Sequence, residues 1–205
     1  MSTNPPIRVV LAEDQAMVRS AFVSLLDLQP DVTVVAATAT GEETLAAVEE
    51  HQPDVLVTDI EMPHGSGLDV AVELARRKHP VRILIVTTFA RAGYLRRALD
   101  ASVAGYVLKD APIGELMVAL RRVHAGEQVI ASELAVAAWG RPDPLTDRER
   151  QLLREVADGA ANAEIAARLH LAEGTVRNYL SSAMAKLGAR NRTEAAKAAS
   201  ERGWL

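Results

Sequence analysis

The chain has 205 residues, 49% of them apolar, and no cysteine. This length allows one large or two small domains with real cores, and the composition is that of a globular protein without a disulfide framework or thiolate metal site, which fits a cytoplasmic setting. The net charge of −4 argues by itself against a nucleic-acid binder, but residues 1–143 hold 13 Lys and Arg against 19 Asp and Glu, whereas residues 144–205 hold 10 against 8.

That asymmetry points to two units with different partners. No apolar run reaches the ~18 residues that span a bilayer. The segment Met1–Pro6 lacks a charged stretch followed by an apolar core, so neither signal peptide nor membrane insertion is expected.

In chain order, residues 7–12 read as a strand that ends at Glu13-Asp14. Val18, Phe22, Leu25 and Leu26 then fall at helical spacing over residues 15–28. A second strand covers 32–37. A helix over 41–51 turns Leu45 and Val48 inward. The apolar run 55–58 leads into Asp59, followed by Pro63, Gly65 and Gly67 as turn signals. Helix 68–78, strand 81–86 running into Thr87-Thr88, helix 91–101 and strand 105–108 meeting Lys109 follow. Pro112 opens a last helix with Leu116, Leu120 and Val123 on one stripe.

Five β-then-α units imply a five-stranded parallel, doubly wound sheet with right-handed crossovers. Its strands end on one edge, where Glu13, Asp14, Asp59, Thr87 and Lys109 gather. Residues 1–125 form this α/β domain. Residues 126–143, with a short helical piece at 132–139, read as a linker. Residues 144–205 show no strand pattern. Helices are expected at 146–158, from Asn162, at 175–187 with Val176, Leu180, Met184 and Leu187 buried, and at 192–202. A short Gly-containing turn between the middle two is a helix-turn-helix signature.

The gathered residues suggest a chemistry. Asp14 and Asp59, with Glu13 beside them, crowd carboxylates that need a cation, and hard oxygen donors without His or Cys suit Mg²⁺. Asp59 is then placed as a nucleophile on a phosphoryl group. Lys109 supplies positive charge for the phosphoryl oxygens and Thr87 a hydroxyl donor. His64, between Pro63 and Gly65, reads as a loop residue rather than an acid or base. Tyr106 fits a core aromatic.

Glu13-Asp14, Asp59 with Met62-Pro63, Thr87 and Lys109 resemble the receiver domain of bacterial two-component response regulators over roughly residues 7–125. The resemblance implies that Asp59 accepts phosphate from a sensor histidine kinase. It implies that Glu13, Asp14, Asp59 and the backbone carbonyl of Glu61 bind Mg²⁺. It also implies that Thr87 and Tyr106 rearrange on phosphorylation. The order Lys109-Asp110-Ala111-Pro112 departs from the Lys-Pro of many receivers, so no cis-proline is expected there.

Leu145-Thr146-Asp147-Arg148-Glu149, Asn162–Ala166, Gly174–Tyr179 and Lys186–Ala195 resemble the LuxR-type four-helix DNA-binding domain. Together the halves are similar to the NarL/FixJ arrangement. Glu13-Asp14-Gln15, Asp59–Pro63, Thr87–Arg91 with Gly93-Tyr94, and Gly203-Trp204-Leu205 resemble the subgroup that contains the thermosensor-linked regulator of a fatty-acid desaturase. Arg177, Asn178 and Ser181 leave the buried stripe and suit base edges in the major groove of an operator duplex. Lys186, Arg190 and Arg192 suit phosphates, and Thr175 and Thr193 more weakly. Ala161 stands where the family often has Ser or Thr, so Asn162 is expected to cap the second helix instead.

The expected mechanism is a homodimer formed on phosphorylation that seats two DNA-binding domains on two half-sites. The pairing surface is either the first and last receiver helices, through Met17, Val18, Ile113 and Met117, or the fourth helix and fifth strand. Two competing readings are a phosphatase, for which a second catalytic Asp and a cap domain are missing, and a DNA binder with a vestigial receiver, against which the complete acidic, Thr and Lys set stands. An enzyme is not expected.

Overall fold

The computed structural model describes residues 5–88, 92–130 and 143–205. The chain divides into two compact units. The first alternates β1 Ile7–Ala12, α1 Ala16–Asp27, β2 Val32–Thr38, α2 Gly41–His51, β3 Val55–Thr58, α3 Gly67–Arg76, β4 Arg82–Thr87, α4 Ala92–Asp100, β5 Gly105–Leu108, α5 Ile113–His124 and β6 Val129–Ile130. All pairings are parallel, in the order β2-β1-β3-β4-β5-β6. This is the flavodoxin-like doubly wound plan, in which ligands bind beyond the carboxyl ends of the strands.

The sheet has six strands rather than the expected five. The sixth, Val129–Ile130, pairs with Gly105 and Tyr106 and falls in the stretch read as linker. Two residues are too few to show a period-2 pattern. The expected helical piece at 132–139 lies outside the described residues.

The register places Ala12 beside Thr58 and Thr87 beside Leu108. The next residues of β1, β3 and β5 therefore emerge together: Glu13, Asp59 and Lys109. The central strands are buried on both faces, the edge strands β2 and β6 less so, and α5 packs Leu116, Met117, Ala119, Leu120 and Val123 onto the sheet. Met117, expected at a pairing surface, is 3% exposed and packs inside the core. The inward arc of α5 is wider than the 116–120–123 stripe and takes in the neighbouring position. Of the apolar residues spaced along α1, Leu26 is buried, whereas Leu25 belongs to an exposed apolar set with Met17 (86% exposed) and Leu28 (75%).

The second unit is helical: α6 Asp147–Ala157, α7 Asn162–Arg168, α8 Glu173–Leu187 and α9 Arg192–Glu201. Its core joins Leu152, Leu153, Val156, Ile165, Val176, Leu180, Ala183, Leu187 and Ala195 among others. The buried stripe of α8 uses Ala183, with Met184 only partly buried. Thr146 caps α6 in a reciprocal box with Glu149, a pattern worth about 1 kcal/mol. The expected Asn162 cap is not formed. Ala161 holds the cap position without a side-chain bond, Asn162 is the first helical residue, and its Oδ1 accepts from Arg192. Glu164 instead accepts the Ala161 N–H at 2.8 Å. Among the described residues, no helix is long and apolar enough to cross a membrane.

Candidate functional site: an acidic strand-edge cluster and a helical DNA reader

At the carboxyl edge of the sheet, Lys109 bridges two buried carboxylates. Its Nζ lies 2.6 Å from Glu13 Oε2 and 2.8 Å from Asp59 Oδ2. Glu13 is 1% exposed and Asp59 7%. The backbone holds them there: the Asp59 N–H donates to Ala12 O at 2.9 Å, and the Lys109 N–H to Thr87 O at 2.8 Å. Asp59 Oδ1 accepts the Ile60 N–H at 2.6 Å, which fixes the carboxylate plane and leaves Oδ2 to Lys109.

Asp14 is exposed at the rim, and ligand atoms of Glu13, Asp14 and Asp59 lie within 4.8 Å of one another. Thr87 is fully buried at the end of β4, and Tyr106 is buried in β5 beside Ile85. Glu61 follows in the β3–α3 loop with its side chain exposed. The structure thus gathers Glu13, Asp14, Asp59 and Lys109, with Thr87 at the end of the neighbouring strand. His64 is exposed, at a left-handed φ of 52°, and its carbonyl accepts from Glu42 N–H, as befits a loop residue.

Burial pushes the Glu13 carboxyl above the usual carboxylate range. The Lys109 ammonium pulls it back, and Asp59 adds to the rise. Burial alone would lower Lys109, but hydrogen bonds to Asp59 and Glu13 hold it above the ordinary lysine value. Two buried carboxylates share one ammonium and a third stands at the rim, so the cluster is short of positive charge. Oxygen donors alone, close together and with one at the solvent rim, fit a hard divalent cation such as Mg²⁺.

In the second unit, Arg177, Asn178 and Ser181 are exposed on α8, off its buried stripe, and Thr175 is half-buried. Arg190 is exposed, and its backbone N–H bonds Glu194. Arg192 donates to Asn162 Oδ1 at 2.8 Å. Lys186, expected at a phosphate, has its Nζ 2.6 Å from Glu149 Oε2. Glu149 belongs to the Leu145–Glu149 stretch that resembles the family, but the sequence shows no sign of its role as a buried acceptor. It is 2% exposed and also accepts from Ser182 Oγ at 2.6 Å and from the Thr146 backbone at 2.7 Å. Burial works against its charge, yet these donors lower its pKa to about 2. The Thr146-x-x-Glu149 spacing signals the cap. No local signal reveals partners 33 and 37 residues away.

Of the expected pairing residues, Met17 is exposed, Val18 half-buried, Ile113 exposed and Met117 buried.

Residues 9–121 match the response regulator receiver domain, and residues 143–199 match the luxR family of bacterial regulatory proteins. The chain is 46% identical over 199 residues to the transcriptional regulatory protein YvfU of Bacillus subtilis, covering 97% of this chain and 100% of that one. It is equally identical to the transcriptional regulatory protein DesR of the same organism, covering 97% and 99%. The DNA-binding transcriptional activator DevR/DosR of Mycobacterium tuberculosis is 37% identical over 95% of this chain and 94% of its own. Among solved structures, the response regulator ChrA of a heme-sensing two-component system is 34% identical with a TM-score of 0.58, covering 98% and 100%. The RcsB response regulator of Salmonella typhimurium is 26% identical with a TM-score of 0.75, covering 97% and 99%. These relatives are regulators of transcription and not enzymes. The chain belongs to the response regulators of two-component systems that join a receiver domain to a LuxR-family DNA-binding domain.

Proposed function

We propose that Asp59 is the phosphoacceptor of this response regulator and that its phosphorylation by a sensor histidine kinase promotes dimerisation and operator binding. The observation that carries this reading is the Lys109 ammonium held between buried Glu13 and Asp59, with Asp14 alongside. Glu13, Asp14, Asp59 and the Glu61 carbonyl would hold a Mg²⁺ ion, which when bound would supply charge neutralisation for the phosphoryl oxygens. Asp59 Oδ2 attacks phosphorus as the P–N bond of a phosphohistidine protonated on its other ring nitrogen breaks, and neutral imidazole leaves with the electron pair of that bond. The Ile60 N–H keeps Oδ1 in place, so one oxygen is presented. Lys109 follows the negative charge from the carboxylate to the phosphoryl oxygens. Thr87 donates its hydroxyl to one of them, and Tyr106 repacks in response. The roughly −1.5 to −2 charges gained at Asp59 bias a receiver with two arrangements.

Two receivers then pair. The exposed apolar residues Met17 and Leu25 on α1, Leu28 at its C-cap, and Ile113 and Val118 on α5 support a surface that uses α1 and α5, through Met17, Val18 and Ile113, over one that uses α4 and β5. Arg177, Asn178 and Ser181 read bases in the major groove. Arg190, Arg192 and Thr175 contact phosphates, and Lys186 does so while tethered to Glu149. A reader of chromosomal operators works in the cytoplasm. RcsB has been solved as a complex with DNA, and the same mode of use is proposed for α8 here. The test is operator selection with the purified protein, with and without beryllofluoride and Mg²⁺. Operator affinity should rise with beryllofluoride and should track dimer formation. Unchanged affinity and oligomeric state would favour a vestigial receiver.

A further inference from the structure

The β3–α3 loop, residues 59–66, carries Asp59 and Glu61 and is braced from two sides. On one side the Gly67 N–H donates to Ile60 O at 2.9 Å. On the other stands the start of α2. There the Gly41 N–H donates to Pro63 O and the Glu42 N–H to His64 O, each at 3.2 Å. A helix leaves its first N–H groups without intrahelical partners, and here two of them hold loop carbonyls. The approach requires a glycine. A Cβ at Gly41 would lie 2.2 Å from the Gly65 carbonyl oxygen and 2.8 Å from its Cα. Both neighbours are backbone, so no side chain can swing away to make room. The loop turns here through His64 and Gly65, both at positive φ.

The two sides of this contact are not equally free to move. The start of α2 is tied to β2. Thr40 Oγ1 accepts the Glu43 N–H at 3.2 Å, and the Glu43 carboxylate accepts the Ala39 N–H at 2.9 Å. The buried Thr44 hydroxyl donates to Thr40 O at 2.7 Å and meets the Thr38 hydroxyl at 2.8 Å. The loop has no helix or strand of its own between Asp59 and Gly67. A methyl group at position 41 therefore moves the loop.

We propose that Gly41 is a positioning residue for the phosphoacceptor loop: its bare Cα lets α2 seat residues 61–65 so that the Glu61 carbonyl faces the acidic cluster. This rests on the reading of Asp59 and its neighbours as a Mg²⁺-dependent phosphoacceptor site. Gly41 touches no reacting atom and acts through the loop backbone alone.

The test compares the full wild-type chain with Gly41→Ala and with Gly114→Ala, a helical glycine whose added Cβ would meet nothing within 4 Å. Mg²⁺ affinity is measured by calorimetry, the amide shifts of residues 59–66 by NMR, and folding by thermal unfolding. Gly41→Ala should bind Mg²⁺ about tenfold more weakly or worse, the usual cost of losing a group that orients a metal ligand. The shifts of the loop amides should move, and the rate of phosphorylation by acetyl phosphate should recover at saturating Mg²⁺. Gly114→Ala should behave as wild type. Should Gly41→Ala not fold, Glu42→Pro removes one loop bond at a first-turn position where proline is tolerated, and it should weaken Mg²⁺ in the same direction. A folded Gly41→Ala, or Glu42→Pro in its place, with the wild-type Mg²⁺ constant overturns the proposal, even if its melting temperature falls. Failure of the wild type itself to bind Mg²⁺ overturns the phosphoacceptor reading, and this proposal with it.

Discussion

Each half of the molecule buries a glutamate against a lysine, and the two pairs behave in opposite ways. Glu13 and Lys109 meet at 2.6 Å, as do Glu149 and Lys186. Burial drives the Glu13 carboxyl upward, whereas Glu149 is held at about 2. The difference lies in the neighbours. Glu149 has its ammonium to itself and receives further bonds from Ser182 and Thr146. Glu13 shares its ammonium with Asp59, and Asp14 stands nearby. A buried charge is tolerable when its donors are complete. By that measure the helical pair is a finished structural joint, and the strand-edge cluster is a place kept ready for more positive charge. Proteins keep such incompletely compensated charges where function requires them.

The contrast is broken most strongly by Glu149→Ala. It leaves Lys186, Ser182 and the Thr146 N–H without their acceptor and unties α8 from α6. Chemical denaturation of the C-terminal unit should show a loss of about 3 kcal/mol, and operator affinity should fall as α8 loosens. A loss below ~1 kcal/mol would mean the joint is ornamental.

Acid sharpens the same point. The folded pKa of Glu149 lies below its ordinary 4.5, so its stabilising contribution is complete above that value. It is lost as pH falls toward 2. The contribution amounts to roughly 2 kcal/mol, allowing for the partial exposure of Lys186. Denaturation of the C-terminal unit between pH 6 and pH 2, with Glu149→Gln as reference, should show this slope in the wild type and a shallower one in the variant.

Glu13→Gln should do the reverse of Glu149→Ala. The amide keeps one acceptor oxygen where the carboxylate has two, one for Lys109 and one for the Gln15 N–H, while removing a charge that burial and Asp59 disfavour. Receiver stability should hold or rise by up to about 1 kcal/mol, while Mg²⁺ affinity measured by calorimetry collapses. Smaller still is the effect of Leu28→Glu on folding, within about 0.5 kcal/mol because the side chain is exposed. Phosphorylation-dependent dimerisation, measured by analytical ultracentrifugation, should be lost if α1 is a pairing surface.

The sheet and its edge were legible because fully buried strands leave unbroken apolar runs. Val55–Thr58 and Gly105–Leu108 end where the sequence places them, and Asp59 and Lys109 follow at once. β6 was illegible because two residues carry no period. The amphipathic helices were misread where the face is wider or narrower than a simple stripe. Met117 lies inward, and Ala183 does the packing assigned to Met184. The Glu149 joint depended on contacts across more than thirty residues, which no local pattern announces. Lys186 accordingly looked like a plain phosphate contact. The Gly41 approach was hidden for the same reason, since nothing near position 41 in sequence tells of Gly65 across the turn.

The central claim is that Asp59 is the group through which the receiver controls the DNA-binding domain. Operator affinity of the full chain, measured with and without beryllofluoride and Mg²⁺ in wild type and in Asp59→Asn, tests it directly. The account predicts tighter binding on beryllofluoride addition for the wild type and no change for Asp59→Asn, with both proteins folded. An Asp59→Asn chain that responds as the wild type does would contradict it.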